Sequence, residues 1–146
     1  MQHAPKIVVL GSANTDMVIK SLKIPAPGET VIGGHFFRAA GGKGANQAVA
    51  AARLGAKVTF VSKVGSDGLG DEAVAGYERD GIDTSLVLRD SQHATGVALI
   101  MVDDQGENAI SVASGANYTF SVADVEQAAP AIVAADVLVL QLELPL

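Results

Sequence analysis

Apolar residues fall along this chain in three rhythms, and each rhythm predicts a different element. Positions 6–10 (KIVVL), 57–62 (KVTFVS) and 136–142 (DVLVLQL) are nearly continuous apolar runs. Runs of that kind predict strands of a parallel sheet covered on both faces. Helical patterns occupy 44–54, closed by Gly55, and 69–80, stopped by Gly81, each glycine standing where a helix C-terminus favours one. A third helix opens at Ser121, with Asp124 three residues on as in a capping box, and carries Val122, Val125, Ala129 and Ile132. Pro130 falls inside it and is expected to kink or split it.

The third rhythm is short and extended. Positions 17–24 and 31–39 flank IPAPGET, where two prolines and Gly28 set a turn. Positions 95–102 and 108–112 predict a hairpin through DDQGE, with Gly106 in the turn. Alternating strands and helices predict βαβ units around a parallel sheet, an α/β fold. The four extended stretches belong to no helix crossover, so they are expected to form a small separate sheet, such as a flap over a site. In VALIMV, alternation alone serves a core as well as a surface contact for Val97, Leu99 and Met101.

Composition narrows the classes. With 49% apolar and 18% charged residues over 146 positions, the chain can bury a core and forms one domain or part of a larger one. A net charge of −6 argues against a nucleic-acid partner. Without cysteine there is neither disulfide nor thiolate chemistry. No run is long enough for a signal peptide or a membrane span, so no membrane partner and a cytoplasmic location are expected. His3, His35 and His93 lack metal-ligand spacing, and no Ser-His-Asp or paired-carboxylate arrangement can be argued.

The candidate chemistry lies in AAGGKGANQAVAAARLGA, 39–56. Gly41, Gly42 and Gly44 permit sharp bends and close approach to a ligand, and the helix that follows aims its free N–H groups at the same spot. Lys43 adds a positive charge and Asn46 an amide. Together they suit a small phosphorylated or hydroxyl-rich molecule. Two better-known glycine motifs do not fit. Lys43 is followed by Gly44 rather than Ser or Thr, so this is no Walker A loop. The first strand runs into SANTD rather than GxGxxG, which disfavours dinucleotide binding.

Seven blocks in order carry a resemblance to a known family: VVLGSANTD, PAPGET, GGKGANQAVAAARLGA, VGSDGLG, TGVALIMVDDQGENAI, SGAN and VLVLQLELP. They resemble the N-terminal half of carbohydrate kinases of the ribokinase type. The family's first signature is met by Gly41, Gly42, Asn46, Ala48, Gly55 and Gly65. The resemblance implies a three-layer α/β/α parallel sheet with a small β-sheet lid, truncated, its lid strands lying within 17–39 and 95–112. Lids of this type pair to make a homodimer. The family's sugar site maps onto Asn14, Asp16, Gly41, Gly42, Lys43, Asn46 and Glu143. A carboxylate at Asp16 suits a vicinal diol, although NTD by itself also suits an Asx-turn. Glu143, just past the last strand, could equally be a solvated charge. Asp67 is read as a turn and helix N-cap. The aromatic residues do not cluster with the candidate site, which favours a pentose such as ribose over a nucleoside.

The family's second half holds the glycine-rich GAGD segment, with its catalytic aspartate and anion hole, and the nucleotide pocket. No GAGD or close variant occurs in these 146 residues. The expectation is ATP-dependent phosphorylation of ribose to ribose 5-phosphate by the complete enzyme, with Mg²⁺ and an activating K⁺ sited mostly outside this chain. No catalytic, cofactor or metal residue is assigned here, and the 146 residues alone are expected to be inactive and poorly behaved as a monomer. The competing expectation is a non-catalytic half-domain that dimerises through its lid or binds sugar weakly.

Overall fold

In a computed structural model, which describes residues 4–145, the chain forms two sheets that share one seam. His3 lies outside the described residues. The larger sheet is all parallel. It contains β1 (Lys6–Leu10), β4 (Lys57–Gly65), β5 (Val87–Asp90) and β8 (Val137–Leu140), in the order β5-β4-β1-β8. The smaller sheet contains β2 (Asn14–Lys20), β3 (His35–Gly41), β6 (Gly96–Val102) and β7 (Asn108–Ala113), in the order β3-β2-β6-β7. Its central β2–β6 pair is parallel and its outer pairs are antiparallel. Helices α1 (Lys43–Arg53), α2 (Gly68–Arg79) and α3 (Val122–Val133) complete the fold.

Continuous apolar strands are needed because the larger sheet is covered twice. On one face, Val9, Val58 and Phe60 pack with Ala45 and Ala48 of α1 and Tyr77 of α2. On the other, Val8, Leu10 and Val61 pack with Phe120 and with Ala128 of α3. Successive side chains of a strand point to opposite faces, so both sets must be apolar. Phe60 and Tyr77 meet edge to face, with ring centroids 5.2 Å apart.

The fold corrects the sequence reading at two places. β5 was not expected: it is four residues long and only Val87 is fully buried, so its periodicity is too short to register. β8 carries the apolar residues of a covered strand but stands at the sheet's edge, pairing with β1 alone among the described residues, with Val137 45%, Leu138 39% and Leu140 57% exposed. Pro130 does not split α3. It is the ninth of twelve residues, so only one short turn follows it, and its carbonyl still accepts from Ala134 N–H at 3.2 Å. The capping box of Ser121 and Asp124 is present as expected. Among the described residues, no helix is long and apolar enough to cross a membrane.

The register of the lid-like sheet sorts its residues onto two faces. Asn14, Asp16 and Val18 share a face with Ala39 and Phe37 of β3 and with Ala98 and Ile100 of β6. Thr15 and Met17 share the other with Ala40 and Arg38, and with Val97 and Leu99. β2 begins at Asn14 rather than at position 17, and β3 runs to Gly41 rather than to position 39, so both are shifted from the stretches read from sequence, whereas β6 and β7 agree with theirs to within one residue.

Candidate functional site

The candidate site is built where the two sheets meet. β1 ends at Leu10, and Gly11, Ser12 and Ala13 carry the chain directly into β2. That crossing is fixed from three sides. Ser62 donates its hydroxyl to the Gly11 carbonyl at 2.7 Å, and Ser12 N–H donates to Gln141 Oε1 at 3.0 Å. Ala45 N–H, in the first turn of α1, donates to the Ser12 carbonyl at 3.0 Å.

Helix α1 starts against this crossing because two glycines let it. Gly42, its N-cap, has φ of +91°, a conformation that L side chains rarely adopt. At Gly44 the limit is space, since a Cβ there would lie 2.5 Å from the Gly11 carbonyl carbon and 2.7 Å from Ser12 N. Both neighbours are backbone and cannot swing away. Gly44→Ala is therefore expected to push α1 off β1 and cost about 1–3 kcal/mol, a loss readable as a lower midpoint in urea unfolding. An unchanged midpoint would show that the crossing can give.

Of the residues expected to form a sugar site, six come together here. The Asp16 carboxylate lies over Gly41 on the adjacent strand, so close that a Cβ at Gly41 would fall 2.1 Å from Asp16 Oδ1. Burial pushes the Asp16 carboxyl above its ordinary value, and the negative charge of Glu143 pushes it the same way. Those two carboxylates therefore lie near enough for one charge to act on the other, although 127 positions separate them in sequence. Lys43, beside Gly42, forms an ion pair with Glu143. That pairing is the main reason the Glu143 carboxyl is held low, helped by Ser12, whose hydroxyl donates to Glu143 Oε2 at 2.9 Å.

Asn14 Oδ1 accepts from Asn117 Nδ2 at 2.8 Å, which fixes the orientation of its side chain and leaves its amide nitrogen as a donor. Asn46 lies one turn along α1 from Lys43 and is exposed, with no side-chain hydrogen bond among the described residues. It borders the group rather than joining it.

Three contributors escaped the sequence reading. Asn117 is 1% exposed and locks the crossing by exchanging two bonds with Ala13, its Oδ1 accepting from Ala13 N–H and its Nδ2 donating to the Ala13 carbonyl, both at 2.9 Å. The same nitrogen reaches the Ser114 carbonyl at 3.1 Å. Ser12 and Gln141 are the others. Only the SGAN block (114–117) offered a signal, a polar residue in a glycine turn, and nothing in it named Ala13 as the partner. A cavity of about 370 Å³ adjoins the group, bordered by Ser12, Asn14, Ser114, Asn117 and Glu143 among others.

Asp67 has the structural place that its sequence suggested. It caps α2, accepting from Gly70 N–H at 2.8 Å, and ties that helix to β6 by accepting from Thr95 N–H at 2.8 Å and the Thr95 hydroxyl at 2.7 Å. Burial works against its charge, but these bonds hold its carboxyl below the ordinary range. His93 pairs with Asp90 at 3.2 Å and His35 sits exposed beside Phe37.

A parallel sheet with helices on both faces, plus a second sheet rising from its strand ends over a cluster of carboxylate, lysine and glycine, defines a protein of the α/β class. The family model for pfkB family carbohydrate kinases matches residues 4–145, and the chain belongs to that family. It is 49% identical to ribokinase of Haemophilus influenzae over 140 residues, covering 96% of this chain and 46% of that protein. Against mouse ribokinase it is 41% identical, covering 98% and 44%. Among solved structures, ribokinase from Giardia lamblia superposes with a TM-score of 0.89 at 36% identity, covering 97% of this chain and 46% of that one. Arabidopsis thaliana ribokinase, solved with ribose and ATP, gives 0.82 at 33% identity, covering 98% and 47%. The fold is thus ribokinase-like, and the chain spans about half the length of the curated relatives it matches.

Proposed function

We propose that this chain is the sugar-binding side of an ATP-dependent ribose kinase. The observation that carries the reading is the Asp16 carboxylate seated over Gly41 with the Lys43–Glu143 pair facing it. A carboxylate at that place can accept from two neighbouring hydroxyls of a furanose, each such charged bond contributing about 1.5–3 kcal/mol. Lys43 and Asn46 offer donors on the same side, and Gly41 and Gly42 keep the floor low enough for a ring to approach. The relatives support ribose as the sugar and ATP as the phosphoryl donor, since the Arabidopsis enzyme was solved with both. A deoxyribokinase of Salmonella typhi at 39% identity makes 2-deoxyribose the natural comparison.

Among the described residues, no group of three or more His, Asp or Glu could hold a metal ion. No part of phosphoryl transfer, and no Mg²⁺ or K⁺ site, is assigned to these side chains. Transfer in this reading needs residues corresponding to the other half of the relatives' length. On the Asp16 face of the lid sheet, Phe37 and Ile110 are 46% and 54% exposed, which supports lid-to-lid pairing of two copies.

Titration calorimetry with ribose, 2-deoxyribose and adenosine tests the sugar assignment. Ribose is expected to bind more tightly than adenosine, and the reverse order would overturn the reading. Light scattering with a coupled ADP assay tests the rest: a dimer that forms no ADP is expected, and a clean monomer turning over ATP with ribose would refute it.

Acid should separate binding from folding. The Asp16 carboxyl is raised above 3.8, so the charged acceptor is lost as pH falls through a value above that point. Asp67 and Asp124 are lowered, Asp124 chiefly by bonds from Lys63 and Ser121 that overcome its burial. Their stabilisation is fully present above 3.8 and is lost only as pH falls further, through their depressed values. Ribose affinity is therefore expected to drop at a higher pH than the circular-dichroism signal of the fold. Coincident loss would count against Asp16 as the acceptor.

A further inference from the structure

Ser12 uses every polar group it has, and each leads to a different part of the site. Its N–H donates to Gln141 Oε1 at 3.0 Å, just past β8, and its carbonyl accepts from Ala45 N–H at 3.0 Å in the first turn of α1. Its hydroxyl donates to Glu143 Oε2 at 2.9 Å. The residue is 1% exposed and stands in the middle of the crossing from β1 to β2.

Glu143 has two partners, and they differ in how firmly they can hold it. Lys43 pairs with it from the start of α1, but the lysine side chain is 71% exposed and the Glu143 side chain 39%. An ion pair between two such chains fixes no single geometry, because water and rotamer freedom compete with it. A hydroxyl bonded to a carboxylate is charge-assisted and directional. Here the donor is buried, on a backbone that is itself tied on both sides. Gln141, two residues before Glu143, is tied down as well, its N–H donating to the Leu10 carbonyl at 3.0 Å. Ser12 is thus the rigid partner of Glu143, and Lys43 the mobile one.

We propose that Ser12 is a positioning residue for sugar binding, its hydroxyl holding the Glu143 carboxylate in place as a second acceptor of sugar hydroxyls beside Asp16. The assignment rests on the sugar-site reading above and adds to it a residue that touches no sugar itself. An ionised carboxylate offers about four acceptor positions. Ser12 and Lys43 occupy two of them, which leaves capacity for hydroxyl donors. Without the Ser12 bond, Glu143 is free to swing into water with Lys43, and a ligand would have to reorder both side chains. Ser12→Ala itself should spare the fold, since it removes one bond whose acceptor is open to solvent.

The test uses the whole chain and ribose. Calorimetry is expected to show ribose affinity about tenfold lower in Ser12→Ala, with an unchanged circular-dichroism melt. A thermodynamic cycle separates positioning from structure. In a Glu143→Ala background, adding Ser12→Ala is expected to change affinity by less than about twofold, because the group it acts through is gone. A loss of the same size in both backgrounds would make Ser12 a structural residue and overturn the proposal. A second readout needs no sugar. Lys43 and Asp16 are the charged groups beside Glu143, and its carboxyl is held below the ordinary range chiefly by Lys43, with Ser12 adding to the effect. In Ser12→Ala, the Glu143 side-chain carboxyl signal in NMR, assigned by its loss in Glu143→Ala, is expected to titrate at a higher pH. An unmoved titration would count decisively against the bond. Ribose binding that Glu143→Ala weakens and Ser12→Ala does not would overturn the proposal and leave the sugar reading intact. No ribose binding by the unaltered chain, with the titration shifted, would overturn the sugar reading and, with it, this role for Ser12.

Discussion

Asp16→Ala is expected to lower ribose affinity by a factor of tens to hundreds, about 2–4 kcal/mol, while leaving the fold intact. The size follows from what is lost: one charged acceptor placed for two hydroxyls, in a site where a lid limits replacement by water. The fold should survive because Asp16 is only partly buried and forms no ion pair among the described residues, so its removal strands no partner there. Asp16→Asn sharpens the measurement. It keeps the volume over Gly41 and one acceptor oxygen but loses the charge, so an intermediate affinity is expected. Calorimetry with ribose reads both variants, and circular dichroism checks their folding. Wild-type affinity in Asp16→Ala would remove Asp16 from the sugar site.

Asn117→Ala should act on stability first. It deletes four hydrogen bonds and leaves the N–H and carbonyl of Ala13 and Oδ1 of Asn14 without their partner, while the Ser114 carbonyl keeps the backbone N–H of residue 117 at 3.1 Å. At 1% exposure little water can reach them, so the cost is about 3 kcal/mol or more. For a chain of this length that lowers the melting temperature by roughly 6–12 °C. Asn117→Asp keeps the acceptor for Ala13 N–H but sets a carboxylate oxygen against three acceptors, and it should destabilise comparably. A melting temperature within about 2 °C of wild type in both variants would mean that the crossing from β1 to β2 is held by other contacts.

The two results together separate a residue that touches the sugar from one that positions the strand carrying it. Asn117 holds Asn14 at the start of β2, two residues before Asp16, so partial loss of ribose affinity should accompany its loss of stability. Asp16→Ala should show the affinity loss alone.

The sequence by itself determined the class of fold and pointed to most residues of the candidate site. Apolar runs at 6–10 and 57–62 announced doubly covered strands because a strand sandwiched by helices has no face to spare for polar residues. The order of glycines, lysine and asparagine in 41–46 announced a ligand-facing turn because those residue types are needed wherever backbone and ligand approach closely. Ser121 and Asp124 announced a helix start because their bonds are local, closing within three residues.

Tertiary structure alone decided what depends on distant pairing. Glu143 meets Lys43 across 100 positions, and Asn117 meets Ala13 across 104. No local pattern encodes such a meeting, since it depends on how β1, β8 and the turn after β7 converge in space. The same holds for Asn14, whose side chain meets Asn117 across 103 positions. It holds for β8 too, whose apolar residues suit a covered strand while strand order sets them at the sheet's edge. Periodicity reports which side chains seek cover. Whether a neighbour provides it is settled only when the strands have taken their places.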